Sequence, residues 1–235
     1  MDKSSKYLQE SEQIKITDLV REHAKKANAV EINQGKDAHP NLQKAYKVAK
    51  YMYQLKNIDG YIAKPASKEE AQKNNEIKDS VFRKRTLQQI LEEGIYPTCS
   101  DEGIVFRGLM IALEVPVAYV ETFHEDYLFG REFHGHVIGK IQAGDKWYYI
   151  DPKNNQKRVM ETEEELFPYV IYREGLDSWD IGIKSYDDMH SAKKEDIKEL
   201  LERYKSVFGK IFEKKIKRAD EIIGNPGLSD LKQGK

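Results

Sequence analysis

The sequence predicts an α+β fold, and three observations predict it. Apolar residues recur at helical spacing through the first hundred or so positions. Segments rich in β-formers then follow, two of them flanking a Gly144-Asp145 turn. A long charged segment with one apolar stripe closes the chain. Helices and strands are thus segregated along the sequence, which is the pattern of an α+β chain.

From Ile14 to about Val30, the residues Ile16, Leu19, Val20, His23, Ala24 and Ala27 trace one helical face. After the loop NQGKDAHP a second helix carries Leu42, Ala45, Val48, Ala49, Met52 and Leu55, and Asn57–Gly60 ends it. Residues Ala63–Asp79 are strongly polar and read as an exposed loop with one surface helix. A third helix is expected over Ser80–Glu93, with Val81, Leu87, Ile90 and Leu91 facing inward and Gly94 as its stop. Thr98–Leu113 is apolar on nearly every side, so a buried helix is expected there. Pro116–Phe123, His134–Ile141, Lys146–Ile150 and Phe167–Arg173 suit strands. The stretch Ser178–Asp188 (SWDIGIKSYDD) fits no element; it reads as a packed surface loop whose aromatics could rim a site. Ala192–Ile223 forms the closing helix, striped by Ile197, Leu200, Leu201, Tyr204, Phe208, Ile211 and Phe212, with a frayed tail after it. The organisation expected is a helical extension (1–79), a core (80–190) and a terminal helix and tail (191–235), folded as one unit.

Charge excludes little but directs much. The net charge is −1, so no global field recruits nucleic acid or a membrane, and neither is expected as a partner. Residues 193–218 hold ten basic and five acidic side chains, but Tyr204 and Phe208 fall on the apolar stripe, which favours a solvated face with its rings in the core. The amino-terminal MDKSSKYLQESEQ has no apolar core of a signal peptide, and no run approaches the ~20 apolar residues of a membrane helix; a cytoplasmic chain is expected. A single cysteine rules out an intramolecular disulfide or a thiolate cluster. No cofactor is expected.

That cysteine is the first candidate for chemistry. Thr98 and Asp101 have the spacing of a capping box, which sets Cys99 in the first turn of the buried helix. Free amides and the positive end of the helix dipole favour a thiolate there, and the same amides could receive an oxyanion. Gly103, one turn on, would permit close approach of another segment. Taken alone, a lone cysteine is more often a small buried hydrophobe.

The hairpin supplies partners. A two-residue Gly144-Asp145 loop with glycine first matches a type II′ turn and pairs Ala143 with Lys146, Ile141 with Tyr148 and His136 with Lys153. His136 and Asp151 are then diagonal neighbours on one face, ~7–8 Å apart along the backbone and within reach of a side-chain bond. A carboxylate on one ring nitrogen would leave the other free for the thiol proton. His134 shares that parity but lies further from Asp151. Its H-x-H pairing with His136 leaves open a zinc site, with His124, Asp126 and Glu132 nearby and Asp151 or Cys99 as further ligands.

With these residues in view, the stretch Arg85–Asn154, about a third of the chain, resembles the transglutaminase-like superfamily. RTLQQILEEGIYPTCSDEGIVFRGLMIALEVPVAYVETF is similar to the family's cysteine, helix and following strand, and HGHVIGKIQAGDKWYYIDP to its histidine strand, tryptophan and Asp-Pro ending. The resemblance implies a papain/transglutaminase-like core, with a nucleophile helix packed on an antiparallel sheet. It also implies Cys99 as nucleophile, His136 as base and Asp151 as third member, acting on a peptide or protein substrate. The activities it admits are peptide or amide hydrolysis, protein crosslinking, peptide N-glycanase chemistry and inactive scaffolds. Tyr96 and Gln89 are candidates for a second oxyanion donor, and Trp147 and His134 for the cleft. The chain departs from the family pattern at Thr98, where a glycine is common, and at Ile138, where an aromatic is common.

Overall fold

A buried helix lying on an antiparallel sheet organises the chain, and both follow from the apolar run between Cys99 and Phe123. The structure, a computed structural model, describes residues 3–33, 38–128, 134–152, 159–191 and 196–209. In chain order come α1 (Lys3–Lys6), α2 (Asp18–Asn28), α3 (Pro40–Met52), α4 (Lys68–Val81), α5 (Leu87–Glu93) and α6 (Cys99–Ala112). Next are β1 (Val117–His124), α7 (Glu125–Leu128), β2 (Gly135–Ala143), β3 (Lys146–Ile150), β4 (Val159–Met160), a 3-10 turn at Glu163–Leu166, β5 (Tyr169–Gly175) and α8 (Tyr186–His190). Residues 196–209 are helical. The five strands form one sheet ordered β4-β3-β2-β1-β5, with every neighbouring pair antiparallel. The fold is α+β.

Alternation along β2 sorts the core into two layers. Val137, Gly139 and Ile141 face α6, whereas Ile138 packs on the reverse of the sheet with Ala118, Val120, Tyr149 and Ile171. On its other side α6 is covered by α2, α3 and α5. The main cluster runs without interruption from Ile14 to Phe208, so the N-terminal helices and the 196–209 helix share one core with the sheet. Tyr204 and Phe208 are fully buried in it, as their place on the stripe predicts. The part of that helix expected beyond residue 209 lies outside the described residues. No helix among them is long and apolar enough to cross a membrane.

Hairpin and surface elements keep the predicted register. Ala143 pairs with Lys146 and Ile141 with Tyr148, continuing to Gly139 with Ile150; Lys153, expected opposite His136, lies outside the described residues. Gly144 takes φ +67° while Asp145 stays out of the positive-φ region, which is the type II′ pattern. The polar stretch before Ser80 folds as α4, which buries no side chain and is capped by Ser67.

Beyond shifts of a few residues at strand and helix ends, two differences have a cause in the packing. The first helix begins at Asp18 rather than Ile14, because the Gln13 carbonyl accepts from the Leu87 amide (2.9 Å) and holds Ile14 extended and fully buried. The helix expected over Ser80–Glu93 is broken in two. At the break Arg83 adopts φ +57°, a left-handed conformation costing ~1–2 kcal/mol, and its side chain turns into the core. β4, α7, α8 and the 3-10 turn are too short to leave a periodic signal.

Candidate active site

Cys99 is the first residue of α6 and half-buried. Thr98 is the N-cap residue with extended backbone (φ −115°, ψ 154°), but its side chain caps nothing. The expected capping box with Asp101 is therefore not formed. Asp101 turns inward instead, where its carboxylate accepts from the Tyr96 amide (3.0 Å) and from Arg85. Arg85 also donates to the Gly94 carbonyl (2.9 Å) and to Glu93 (3.1 Å). This buried pair fastens the loop 94–98 to the first turn of α6, fixing where the sulfur emerges. The first-turn amides have no i−4 carbonyl and no Thr98 cap, so they remain donors for an oxygen arriving beside Cys99.

His136 reaches the site from β2. Its carbonyl accepts from Thr122 Oγ1 on β1 (2.9 Å), and its Nε2 is 2.8 Å from Asp151 Oδ2, just past the end of β3. With Nε2 engaged, Nδ1 is the nitrogen left for the hydrogen bond to Cys99. Burial alone would lower the basicity of this imidazole. The hydrogen bonds to Asp151 and then Cys99, with the attraction of both charges, outweigh it and raise the His136 pKa to about 10. The ring is thus cationic at neutral pH. The side chains of His136 and Asp151 are 18% and 20% exposed, so the pair is shielded yet open to a substrate. Tyr169 flanks the ring on β5 at 5.5 Å between centroids.

Close packing brings the two elements together. A Cβ on Gly103 would come within 2.4 Å of Val137 Cγ1, the residue after His136. Only a bare α-carbon there lets β2 approach α6 one turn from Cys99.

Beneath the site lies a second buried pair. Arg83 Nη2 donates to both oxygens of Glu121 at 2.8 Å, and both residues are essentially inaccessible. Burial pushes the Glu121 carboxyl up, against the pull of Arg83, while the guanidinium stays charged. Arg83 Nε and Nη1 are buried with no partner, at a cost of ~1–3 kcal/mol per unsatisfied group. Arg83 and Cys99 line the same cavity, about 400 Å³, together with Lys78, Phe82, His134, Tyr186 and His190. The Phe82 and Tyr186 rings stack at 3.7 Å.

Cys99, His136 and Asp151 therefore come together, and His134 rims the cavity beside them. The other cleft candidates are engaged elsewhere. Gln89 is exposed and completes a capping box with Thr86. The Tyr96 hydroxyl donates to the Asn74 carbonyl (2.9 Å), and Trp147 packs edge-on against Tyr7 (5.6 Å) on the reverse of the sheet. Among the described residues no group of three or more His, Cys, Asp or Glu side chains could hold a metal ion. The alternative centre on His134 and His136 thus finds no third ligand there; Glu132 lies outside the described residues.

Sequence reading missed Arg83 and Glu121, and reached Tyr186 only as one of the aromatics of Ser178–Asp188 that could rim a site. Glu121 carried a signal, since it interrupts the buried parity Val117, Tyr119, Phe123 with a carboxylate that must find a cation. Tyr186 belongs to the stretch that fits no element; Trp179, from the same stretch, donates through Nε1 to the Arg83 carbonyl (2.5 Å).

Comparison with protein-family models and with curated proteins found no match. Among solved structures the chain is similar to one described as a candidate cysteine protease from Cytophaga hutchinsonii, with 17% identity, a TM-score of 0.45 and 78% of this chain covered. The chain spans about half the length of that protein (50%), and a likeness at this level carries no argument about activity.

Proposed function

We propose that the chain is a cysteine-dependent amide hydrolase acting through a thioester, on a transglutaminase-like core. One observation carries the reading: the only cysteine opens α6 within electrostatic reach of an imidazole whose Nε2 is held by a carboxylate at 2.8 Å. The thiolate is the form that attacks, and the imidazole beside the sulfur is the group placed to exchange a proton with it. Cys99 Sγ adds to the amide carbon, and the resulting oxyanion accepts from the amides at the start of α6. As the C–N bond breaks, His136 delivers its proton to the departing amine, leaving a thioester on Cys99. The neutral imidazole then takes a proton from water, whose oxygen displaces Cys99 and releases the acid. Asp151 keeps Nδ1 aimed at the sulfur throughout. Hydrolysis needs no site for a second amine, which favours it over crosslinking.

The test is labelling with an electrophilic peptide panel. Mass mapping should find one adduct, on Cys99, and none in Cys99→Ala. Amide hydrolysis should vanish on alkylation and fall by ~10²–10⁴ in His136→Ala. Undiminished hydrolysis after complete alkylation removes Cys99 from the chemistry.

A further inference from the structure

The cavity beside Cys99 has a one-sided lining. Among the described residues that form its walls are Lys78, Arg83, His134 and His190, and no aspartate or glutamate. Lys78 sits over the Tyr186 ring, 4.9 Å from its centroid, at the edge of the stacked Phe82–Tyr186 pair. Arg83 also lines the cavity, whereas Glu121, which its Nη2 bonds, does not. The remaining Arg83 donors, Nε and Nη1, are buried and unpartnered. A cation embedded in a wall of low polarizability attracts an anion across a few ångströms far more strongly than one in water does, and a fork of free guanidinium donors suits a carboxylate.

We propose that this cavity is a subsite for a carboxylate on the substrate, next to the amide that Cys99 attacks. The stacked Phe82–Tyr186 rings supply an apolar side for the methylene stem of an acidic side chain, and Lys78 and Arg83 draw in its head. The carboxylate has two possible sources: an aspartate or glutamate side chain, or a chain terminus. The proposal rests on the acyl-transfer reading for its place in a reaction, but its binding step is separable from that reaction.

Binding is measured by calorimetry on the full-length Cys99→Ala chain, which holds the cavity without turnover. The probes are short blocked peptides identical except for one residue (Glu, Gln, Ala or Lys), with a further pair ending in a free carboxylate or an amide. The Glu peptide should bind at least tenfold tighter than its Gln counterpart, and the Lys peptide weakest. A preference confined to the free-terminus pair assigns the site to a chain end instead of a side chain. Lys78→Glu, on exposed helix α4, should reverse the order of Glu and Lys; Arg83→Gln should erase it, and circular dichroism shows whether that variant folds. Equal affinity for Glu, Gln and Lys peptides overturns the subsite. In the wild-type chain, electrophilic versions of the same peptides read the parent proposal independently. Labelling of Cys99 without charge preference leaves the nucleophile standing and removes the subsite, whereas carboxylate-selective binding without labelling does the reverse.

Discussion

At its N-terminal end α6 is set among charges, with Cys99, the Asp101–Arg85 pair and, from the facing strand, Arg83–Glu121, whereas from Ile104 to Met110 its side chains are apolar except for Arg107. The arginines show what separates the two ends. Arg107 is buried too, but it bonds the neutral carbonyls of Val117 (3.0 Å) and Gln9 (2.8 Å), and burial lowers its pKa to about 10. Arg83 is equally buried yet shifted upward, because burial is opposed by the charge of Glu121. One end ties segments together through fixed carbonyls. The other stores charge next to the sulfur and leaves more donors unpaired, Nε and Nη1 of Arg83 and Nε of Arg85 against Nη1 alone of Arg107. Unsatisfied buried polar groups cost stability, so their concentration near Cys99 marks that end as shaped for something besides folding.

The largest expected effect of breaking this contrast lies in the charged anchor. Asp101→Ala leaves Arg85 only the half-exposed Glu93 as a charged partner and frees the loop before Cys99, and should cost about 3 kcal/mol in denaturant unfolding. Removing the exposed Lys26–Glu22 pair (2.6 Å) by Glu22→Ala should leave the unfolding midpoint essentially unchanged, because water and salt screen both charges. Similar losses from both would mean that the Asp101 network is not an anchor.

Much of this end was legible before any coordinates. Strict alternation with a glycine-first turn fixes the hairpin register, and with it the pairing of His136 with Asp151 across a diagonal. Fully apolar periodicity marks α6, and its first residue follows from the position of Thr98. The capping box failed because local spacing cannot know that Arg85 competes for the Asp101 carboxylate. For the same reason the helix over Ser80–Glu93 looked continuous. Its propensity is intact, but burying Arg83 against Glu121, 38 residues away, overrides it. The cavity is assembled from α4, the loop before α6 and α8, and no spacing rule links segments so distant.

Two glycines of α6 sharpen the comparison with one chemical change at each end. A methyl on Gly103 would strike Val137 Cγ1 at 2.4 Å, and one on Gly108 would strike Leu87 Cδ2 at 2.1 Å. Both Gly→Ala variants overpack the core, and each should lose ~1–3 kcal/mol less what the better helix residue returns. Their effects on the site should diverge. Gly103→Ala pushes β2 outward beside His136 and should slow Cys99 labelling at least tenfold, while Gly108→Ala leaves the labelling rate within about twofold. Equal slowing would show that the two ends are mechanically coupled.

The last effect is read across pH and not at one condition: it is the His136 contact, and its sign follows from the direction of the shift. Folded, the imidazole holds its proton up to about pH 10; unfolded, it releases it near ~6.5. The contact's contribution is therefore whole below ~6.5 and fades as pH rises through the folded value, since the native state binds more protons in that window. Arg107 also begins to titrate near pH 10, so a single melting curve would mix the two. Subtracting an Asp151→Asn variant cancels Arg107 and keeps His136, because what changes is the carboxylate charge that holds the imidazole's proton. The difference in stability between the two chains should be widest near pH 6 and should narrow steadily toward pH 10. A difference that stays flat over that range would mean that the imidazole is not held as a cation, and the charge stored at this end of α6 would then belong to the arginines alone.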